Sequence, residues 1–268
     1  MKRPAYPLCL PSKNPWEGPL ALPRSRASGE TTSALTRLLT LFGVATLFVC
    51  CAPFGQKAAS DRPPSYKECG PDGIIDDFED ANNQITVFDD RGGYWYTYAD
   101  KEGSTITPEQ GDNGGTFTVA EGGNGSKYAV NIKGKLAAKS IVYAAMGLNF
   151  RDPKEAFDAS KYDGITFFAR RGPGSTGKLF VKMPDASTDP DGAVCSACFN
   201  DFAAELTVGD QWKRYVLPFR DLKQEPFWGA PRRPHVDRSK LYAIHWEVKA
   251  SGADFDIWVD DIAFVCKG

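Results

Sequence analysis

Short apolar runs alternate with clusters of turn-forming residues between residues 73 and 265 of this chain. In the run Gly164–Arg170, Ile165, Phe167 and Ala169 share one face, and this period of two is typical of a half-buried strand. The pattern predicts ten strands: Gly73–Phe78, Tyr94–Tyr98, Thr116–Ala120, Tyr128–Gly134, Ala144–Asn149, Gly164–Arg170, Lys178–Pro184, Lys213–Pro218, Leu241–Val248 and Phe255–Val265. Many short strands joined by glycine-rich turns favour a sandwich or barrel, so we expect an all-β domain.

The first 51 residues follow a different pattern and are predicted to be a leader. Residues 38–49 form an apolar run behind Arg24, Arg26 and Arg37. A membrane-spanning helix needs ~20 apolar residues, whereas a signal peptide has a shorter apolar core after a basic segment. We therefore predict an exported protein with a leader at 1–51, a linker at 52–68 and a β-sandwich domain at 69–268. A translation start downstream of Met1 would explain the long segment before the run.

Two adjacent cysteines, Cys50 and Cys51, directly follow the apolar run. Bacterial lipoproteins carry their lipidated cysteine at this position, although small residues usually precede it and here Phe48 and Val49 do. We predict a lipoprotein of the cell envelope, attached to the membrane through lipid on one of these cysteines. Secretion without lipid and an N-terminal membrane anchor are the alternatives.

Four further cysteines lie in the predicted domain, with Cys69 at its start, Cys266 at its end, and Cys195 and Cys198 between them. A sandwich whose first and last strands are neighbours can join Cys69 to Cys266, and an oxidising compartment permits this. We favour two disulfides, Cys69–Cys266 and Cys195–Cys198. A zinc site made of all four thiolates is the alternative.

Charge and motif content exclude several classes of function. The formal net charge is −2 and no long Lys/Arg run occurs, so we expect no nucleic-acid partner. With only two histidines, a histidine-based metal centre or catalytic triad has little material. The sequence contains no nucleophile elbow, phosphate-binding loop or dinucleotide fingerprint. Paired acids of a glycoside hydrolase remain an alternative, although no acid stands in a distinctive motif.

The densest aromatic cluster is Gly92–Asp100, in which Tyr96 and Tyr98 alternate with Trp95. Tyrosine and tryptophan combine an apolar ring with a hydrogen-bonding end, which suits sugars because these present flat C–H faces rimmed by hydroxyls. One face of the strand is expected to be core. The predicted ligand-binding residues are Trp95, Tyr96, Tyr98, Asp185, Asp201, Gln224 and Trp228.

Acidic clusters bracket the domain at Asp76–Asp80 and Val259–Ile262. Calcium takes six to eight oxygen ligands from carboxylates and carbonyls, and carboxylates from the first and last strands could meet at one such site. Solvated acids at strand ends are the alternative interpretation.

Five segments in this order resemble carbohydrate-binding module family 11, its relatives in the galactose-binding-domain-like jelly-roll superfamily, and complex I assembly-factor domains. They are Asp76–Asp80, Gly92–Tyr98, Phe157–Phe168, Trp212–Leu222 and Asp256–Phe264. The resemblance implies a β jelly roll with a concave face for β-glucan chains. It also implies structural calcium held by Glu79 with Asp260 or Asp261.

The sequence thus predicts a non-catalytic domain that binds a polysaccharide, possibly a β-glucan, in an exported and lipid-anchored protein. The alternatives are a structural or protein-interaction domain of the envelope and a cellulase-like glycoside hydrolase. Affinity for polysaccharides, co-purification with a protein from membranes, and release of reducing sugar would distinguish the three.

Overall fold

The computed structural model describes residues 65–111 and 117–268, which form two antiparallel sheets. Within these residues the strands are β1 (Tyr66–Glu68), β2 (Ile74–Asp76), β3 (Trp95–Ala99), β4 (Thr105–Thr107), β5 (Ala120–Glu121), β6 (Tyr128–Lys135), β7 (Ala144–Asn149), β8 (Gly164–Arg171), β9 (Lys178–Met183), β10 (Phe202–Thr207), β11 (Lys213–Pro218), β12 (Ala243–Val248) and β13 (Asp254–Lys267). Short 3₁₀ turns lie at Pro71–Gly73, Pro190–Gly192, Phe219–Asp221 and Arg238–Lys240.

The strands divide into an eight-stranded and a five-stranded sheet. The eight-stranded sheet has the order β11-β8-β13-β6-β4, with β1 and β2 also paired to β13 and β5 paired to β6. The five-stranded sheet has the order β10-β9-β12-β7-β3. Most neighbours in each sheet are not consecutive along the chain, the exceptions being β5 with β6 and β9 with β10. This crossing connectivity is typical of a jelly roll. The predicted all-β jelly-roll sandwich is therefore confirmed.

The predicted strands correspond to observed ones with small shifts at their ends, except that Thr116–Ala120 shares only Ala120 with β5. The prediction missed β1, β4 and β10. The first two are only three residues long, and β10 contains alanine and glutamate, which are depleted in strands. The first strand, Tyr66–Glu68, lies in the segment that the sequence assigned to the linker.

A single apolar core fills the space between the two sheets. Phe167 of β8 meets Trp246 of β12 edge to face, with ring centroids 5.7 Å apart. Trp246 in turn stacks on Trp95 of β3 at 5.5 Å. All three side chains are fully buried, so one face of each sheet is committed to the core and the opposite face is left for other contacts.

Both predicted disulfides are present. Cys69 is bonded to Cys266 across 197 residues of chain, beside the antiparallel pairing of β1 with the end of β13. Cys195 is bonded to Cys198. The alternative of a four-cysteine zinc site is wrong, because all four sulfurs are used in the two bridges.

The predicted leader, residues 52–64 of the linker, and the candidate lipidation sites Cys50 and Cys51 lie outside the described residues. In the described ranges, no helix has the length and apolar character needed to cross a membrane.

Candidate functional site

A large groove covers the outer face of the five-stranded sheet. Its volume is about 1230 Å³, and it is lined by side chains of β3, β9 and β12 and by the loops around them. The alternation of these strands puts Trp246 on the core side and sends His245 and Glu247 outward into the groove. The groove is therefore the solvent-facing counterpart of the core.

The floor of the groove is a row of residues set by the register of four strands. Tyr96 lies opposite Gly147, Gly147 opposite His245, and His245 opposite Lys182. Gly147 leaves room for its neighbours, because a Cβ there would lie 2.6 Å from His245 Cδ2 and 2.9 Å from Tyr96 Cζ. The two rings therefore meet above this glycine, with Tyr96 Oη 2.7 Å from His245 Nε2.

This Tyr96–His245 pair is uncharged. Burial, followed by the nearby charges of Lys182 and Lys154, lowers the pKa of His245 well below its usual value. Burial raises the pKa of Tyr96, so its hydroxyl stays protonated. The pair thus presents neutral hydrogen-bonding groups to the groove rather than a charge.

A charged network connects Lys182, at the end of this row, with Glu247 and Tyr98 in the next row of the sheet. Lys182 Nζ lies 3.1 Å from Asp201 Oδ2 and 3.4 Å from Glu247 Oε2. The hydroxyl of Tyr98 donates a hydrogen bond to the same Glu247 oxygen at 3.1 Å. Burial raises the pKa of Asp201 to about 6, and Lys182 opposes this rise. Because one lysine bridges two carboxylates, these side chains hold each other in fixed positions.

The basic side chains that line the groove are all paired with carboxylates. The shortest distance for each is Lys154 to Asp189 at 2.7 Å, Lys182 to Asp201 at 3.1 Å, Lys249 to Glu225 at 2.7 Å, and Arg151 to Glu155 at 3.1 Å. Among the described residues that line the groove, no lysine or arginine is therefore left uncompensated to attract an anion.

Four buried polar atoms of the groove lack a hydrogen-bond partner within the described part of the chain. They are His245 Nδ1, Asn149 Oδ1, Asp201 Oδ1 and Glu247 Oε1, and the last of these has only an ion-pair contact, 3.2 Å from Lys249 Nζ. A buried polar atom without a partner costs on the order of 1–3 kcal/mol. A ligand with hydroxyl groups could satisfy these atoms, since a hydroxyl can donate to the oxygens and can donate to or accept from the ring nitrogen.

Five of the seven predicted ligand-binding residues lie at this groove, although one of them, Trp95, is fully buried beneath it. Tyr96 and Tyr98 lie on β3, Asp201 immediately precedes β10, and Trp228 projects from a loop. The indole of Trp228 is 44% exposed, and its Nε1 donates a hydrogen bond to Glu225 Oε2 at 2.9 Å.

The structure does not support the predicted ligand-binding roles of Trp95 and Asp185, because both side chains are buried. Trp95 is fully buried in the core, where its Nε1 donates a hydrogen bond to Asp76 Oδ2 at 2.7 Å. Asp185 is also fully buried, and its carboxylate accepts hydrogen bonds from Ser187 and from the backbone N–H of Asp237. Both side chains therefore have partners within the fold, and their predicted roles in ligand binding stay untested.

The side chain of Gln224 hydrogen-bonds to the backbone of neighbouring loops and does not line the groove. Its amide donates a hydrogen bond to Asn200 O at 2.9 Å and accepts one from the backbone N–H of Arg233 at 2.7 Å. The prediction that it binds ligand is not supported, because it lies outside the residues that line the groove.

The sequence reasoning missed His245, Glu247, Lys182 and Phe199 as groove residues. The alternation in residues 241–248 already separates His245 and Glu247 from the core positions. Which strands lie next to β12, and hence which side chains join it, depends on sheet order that alternation does not contain.

The predicted calcium ligands have other partners. Glu79 Oε1 accepts hydrogen bonds from two successive backbone N–H groups at the start of β6. Asp260 Oδ2 accepts one from the N–H of Asn124 at 2.6 Å, and burial raises the pKa of Asp260 to about 6. In the described ranges no group of three or more His, Cys, Asp or Glu side chains is placed to hold a metal ion. As arranged, Glu79, Asp260 and Asp261 do not fit calcium, and calcium binding stays an untested prediction.

Comparison with solved structures relates the fold to carbohydrate-binding modules. A family 11 module from Clostridium thermocellum, solved in complex with a β-1,3-1,4-mixed-linked tetrasaccharide, has a TM-score of 0.51 and 16% identity over 72% of this chain and 94% of the module. A solution structure of a family 11 module has a TM-score of 0.50 and 17% identity over 77% of this chain and 97% of its own. No protein-family model matches the chain, and no curated protein matches it significantly. The likeness confirms the predicted resemblance at the level of the fold.

Proposed function

We propose that this domain binds a carbohydrate chain, without chemistry of its own, in the groove on the five-stranded sheet. The observation that carries the proposal is the combination of aromatic side chains with buried, uncharged hydrogen-bonding groups in that groove. Sugars need both, because their C–H faces stack on aromatic rings and their hydroxyls need polar partners. The carbohydrate-binding modules that share the fold add support.

The size and charge of the groove narrow the ligand class. Small-molecule sites typically enclose 300–1000 Å³, and the groove exceeds this at about 1230 Å³. An oligomer or polymer therefore fits better than a monosaccharide. Since the groove's lysines are all paired with carboxylates, acidic sugars gain no free cation, and a neutral polysaccharide such as a β-glucan is the expected ligand.

One structural observation favours the alternative of a glycosidase. Two buried carboxylates, Asp201 and Glu247, lie near each other in the groove. However, Lys182 Nζ lies between them, within 3.1 Å of one and 3.4 Å of the other. A hydrolase needs that space for the glycosidic oxygen or a water molecule. The arrangement thus favours binding, and release of reducing sugar that disappears in Glu247→Gln would overturn this preference.

Affinity electrophoresis against mixed-linked β-1,3-1,4-glucan, xylan and galactan tests the proposal. We expect at least one of these to retard the wild-type domain, and Tyr96→Ala to reduce the retardation at least about tenfold, because it removes a ring from the groove floor. Trp258→Ala is the matched control, since Trp258 lies on β13 in the other sheet and does not line the groove.

Two results would contradict the proposal. No retardation by any polysaccharide would remove carbohydrate binding and favour the alternative of an envelope domain that binds protein. A loss of binding in Trp258→Ala with none in Tyr96→Ala would place the site on the other sheet.

We also propose that the protein is exported and attached to a membrane by lipid on Cys50 or Cys51. The apolar run before these cysteines and the two disulfides of the domain support export, because disulfides persist in oxidising compartments. Replacing both cysteines by serine should move the protein from the membrane fraction to the soluble fraction. Unchanged membrane association would contradict the lipid anchor.

A further inference from the structure

Two loops form an aromatic wall beside β10, the edge strand of the five-stranded sheet furthest from β3. Phe199, in the loop before β10, and Trp228, in the loop after β11, both line the groove. Phe199 is 64% exposed and Trp228 is 44% exposed. Since strands in a sheet lie about 4.8 Å apart, this wall is on the order of 19 Å across the sheet from Tyr96 and Tyr98. Aromatic rings therefore flank the groove on both sides.

The side chain of Asn200 fixes the two loops to each other. Its amide nitrogen donates hydrogen bonds to Glu225 O at 2.9 Å and Trp228 O at 2.6 Å, while its amide oxygen accepts one from the N–H of Glu225 at 2.9 Å. Gly229 permits this approach, because a Cβ there would lie 2.6 Å from Asn200 Cβ. The wall is thus a built part of the fold.

Phe199 has a backbone conformation and a solvent exposure that are both unfavourable for a phenylalanine. Its backbone has a φ of +73°, in the left-handed region that bulky residues avoid, and its ring is exposed to water. The Cys195–Cys198 bridge lies directly before it, and its N–H donates a hydrogen bond to Thr188 O at 2.8 Å. Strained and exposed apolar residues in a fixed loop are characteristic of binding sites.

We propose that Phe199 and Trp228 stack on sugar rings at the β10 side of the groove, and that the Cys195–Cys198 bridge holds Phe199 in place to do so. The inference rests on the proposed carbohydrate binding and extends it to a second contact region. We expect a sugar chain as the occupant, because the wall is continuous with the groove floor. The buried polar atoms of that floor that lack a partner, such as His245 Nδ1, can hydrogen-bond to sugar hydroxyls.

The matched control is Phe227, the neighbour of Trp228. Phe227 is 96% exposed but does not line the groove. A surface that docked a protein or a membrane through its apolar residues would use Phe227, whereas a sugar chain in the groove would not reach it. Phe227→Ala therefore separates the two kinds of partner.

Calorimetric titration of Phe199→Ala, Trp228→Ala and Phe227→Ala is the test, with mixed-linked β-1,3-1,4-glucan, xylan and galactan and their di- to hexasaccharides as probes. We expect the first two variants to lower affinity for the longer ligands about tenfold each, since each loses one stacked ring. The disaccharides, which cannot reach across the sheet, should lose less. Phe227→Ala should bind as the wild type does.

The double variant Cys195→Ser with Cys198→Ser tests the role of the bridge. It should lower affinity to a similar extent as Phe199→Ala, with little change in melting temperature, because the bridge closes a very short loop. Wild-type affinity in this variant would overturn the positioning role of the bridge.

The outcomes separate this inference from the proposed function. If the wild type binds none of the probes, both the proposed function and this inference are overturned. If the wild type binds while Phe199→Ala and Trp228→Ala bind equally well, the inference alone is overturned. Equal losses in all three phenylalanine and tryptophan variants would also overturn it, in favour of a general apolar docking surface.

Discussion

At the scale of single residues, Trp95 and Tyr96 show what alternation can and cannot predict. The period of two correctly placed them on opposite faces of one strand, and the structure buries Trp95 while Tyr96 lines the groove. Which face is core depends on the partner sheet, where Phe167 packs on Trp246 behind Trp95. That information is not local, so both residues were predicted to bind ligand.

Gly147 provides a test of the groove floor at this scale. Gly147→Ala would place a methyl group 2.6 Å from His245 Cδ2 and 2.9 Å from Tyr96 Cζ, so the two rings must separate. We expect affinity for the bound polysaccharide to fall about tenfold as the ring pair is displaced. Affinity electrophoresis of the folded variant measures this.

The control for that substitution is Gly209→Ala, because a Cβ at Gly209 meets no atom within 4 Å and its φ is not in the left-handed region. This variant should bind as the wild type does. Unaltered binding by Gly147→Ala would show that the Tyr96–His245 pair does not contribute to the site.

At the scale of elements, strand existence was predictable and strand neighbours were not. Residues 164–170, 178–184 and 213–218 alternate clearly enough to be recognised as strands, and the structure confirms each of them. The site, however, arises where β9 lies beside β12 and β12 beside β7, which joins Lys182, His245 and Gly147. These pairings connect residues tens of positions apart, so no short-range pattern contains them.

The Cys69–Cys266 bridge gives a prediction at this scale. It closes a loop of 197 residues next to the pairing of β1 with β13. In the chain-entropy model such a loop contributes about 5 kcal/mol to stability, whereas the Cys195–Cys198 bridge contributes far less. Cys69→Ser with Cys266→Ser should therefore lower the melting temperature strongly, and serine at 195 and 198 only slightly. Equal losses in the two double variants would contradict this order.

Calcium binding by Glu79 with Asp260 or Asp261 can be decided by the same melting experiment. If calcium is bound, a chelator should lower the melting temperature, because a ligand stabilises the state that binds it. A melting temperature that is the same with calcium and with chelator would remove this prediction and leave the disulfide prediction in place.

At the scale of the whole molecule, three buried carboxyl groups with raised pKa values make the domain's stability depend on pH. Burial raises the pKa of Asp76 to about 7 and that of Asp201 and Asp260 to about 6. In the unfolded chain an aspartate has a pKa of about 3.9. Between about pH 4 and pH 7 these three groups bind more protons in the folded state than in the unfolded state, so their contribution to the free energy of unfolding falls as pH rises. The lowered pKa of buried His245 has the opposite effect below about pH 6.5, but it is one group against three.

We accordingly expect the domain to melt at least about 5 °C higher at pH 5 than at pH 7.5, since each pKa unit corresponds to about 1.4 kcal/mol. Differential scanning calorimetry across this range measures the effect. A melting temperature that rises towards pH 7.5 would show that these carboxyl groups are not protonated preferentially in the folded state.

The position of β13 has a consequence for the timing of synthesis. Four strands, β1, β2, β6 and β8, pair with it, and it follows all of them along the chain. A ribosome that adds about 5–20 residues per second must therefore finish β13 before any of these four strands can pair with it, although β6 can pair earlier with β4 and β5, and β8 with β11. The eight-stranded sheet cannot assemble around its middle while the chain is still growing. If the chain is exported as proposed, the middle of the eight-stranded sheet can form only after β13 has emerged from the translocation channel.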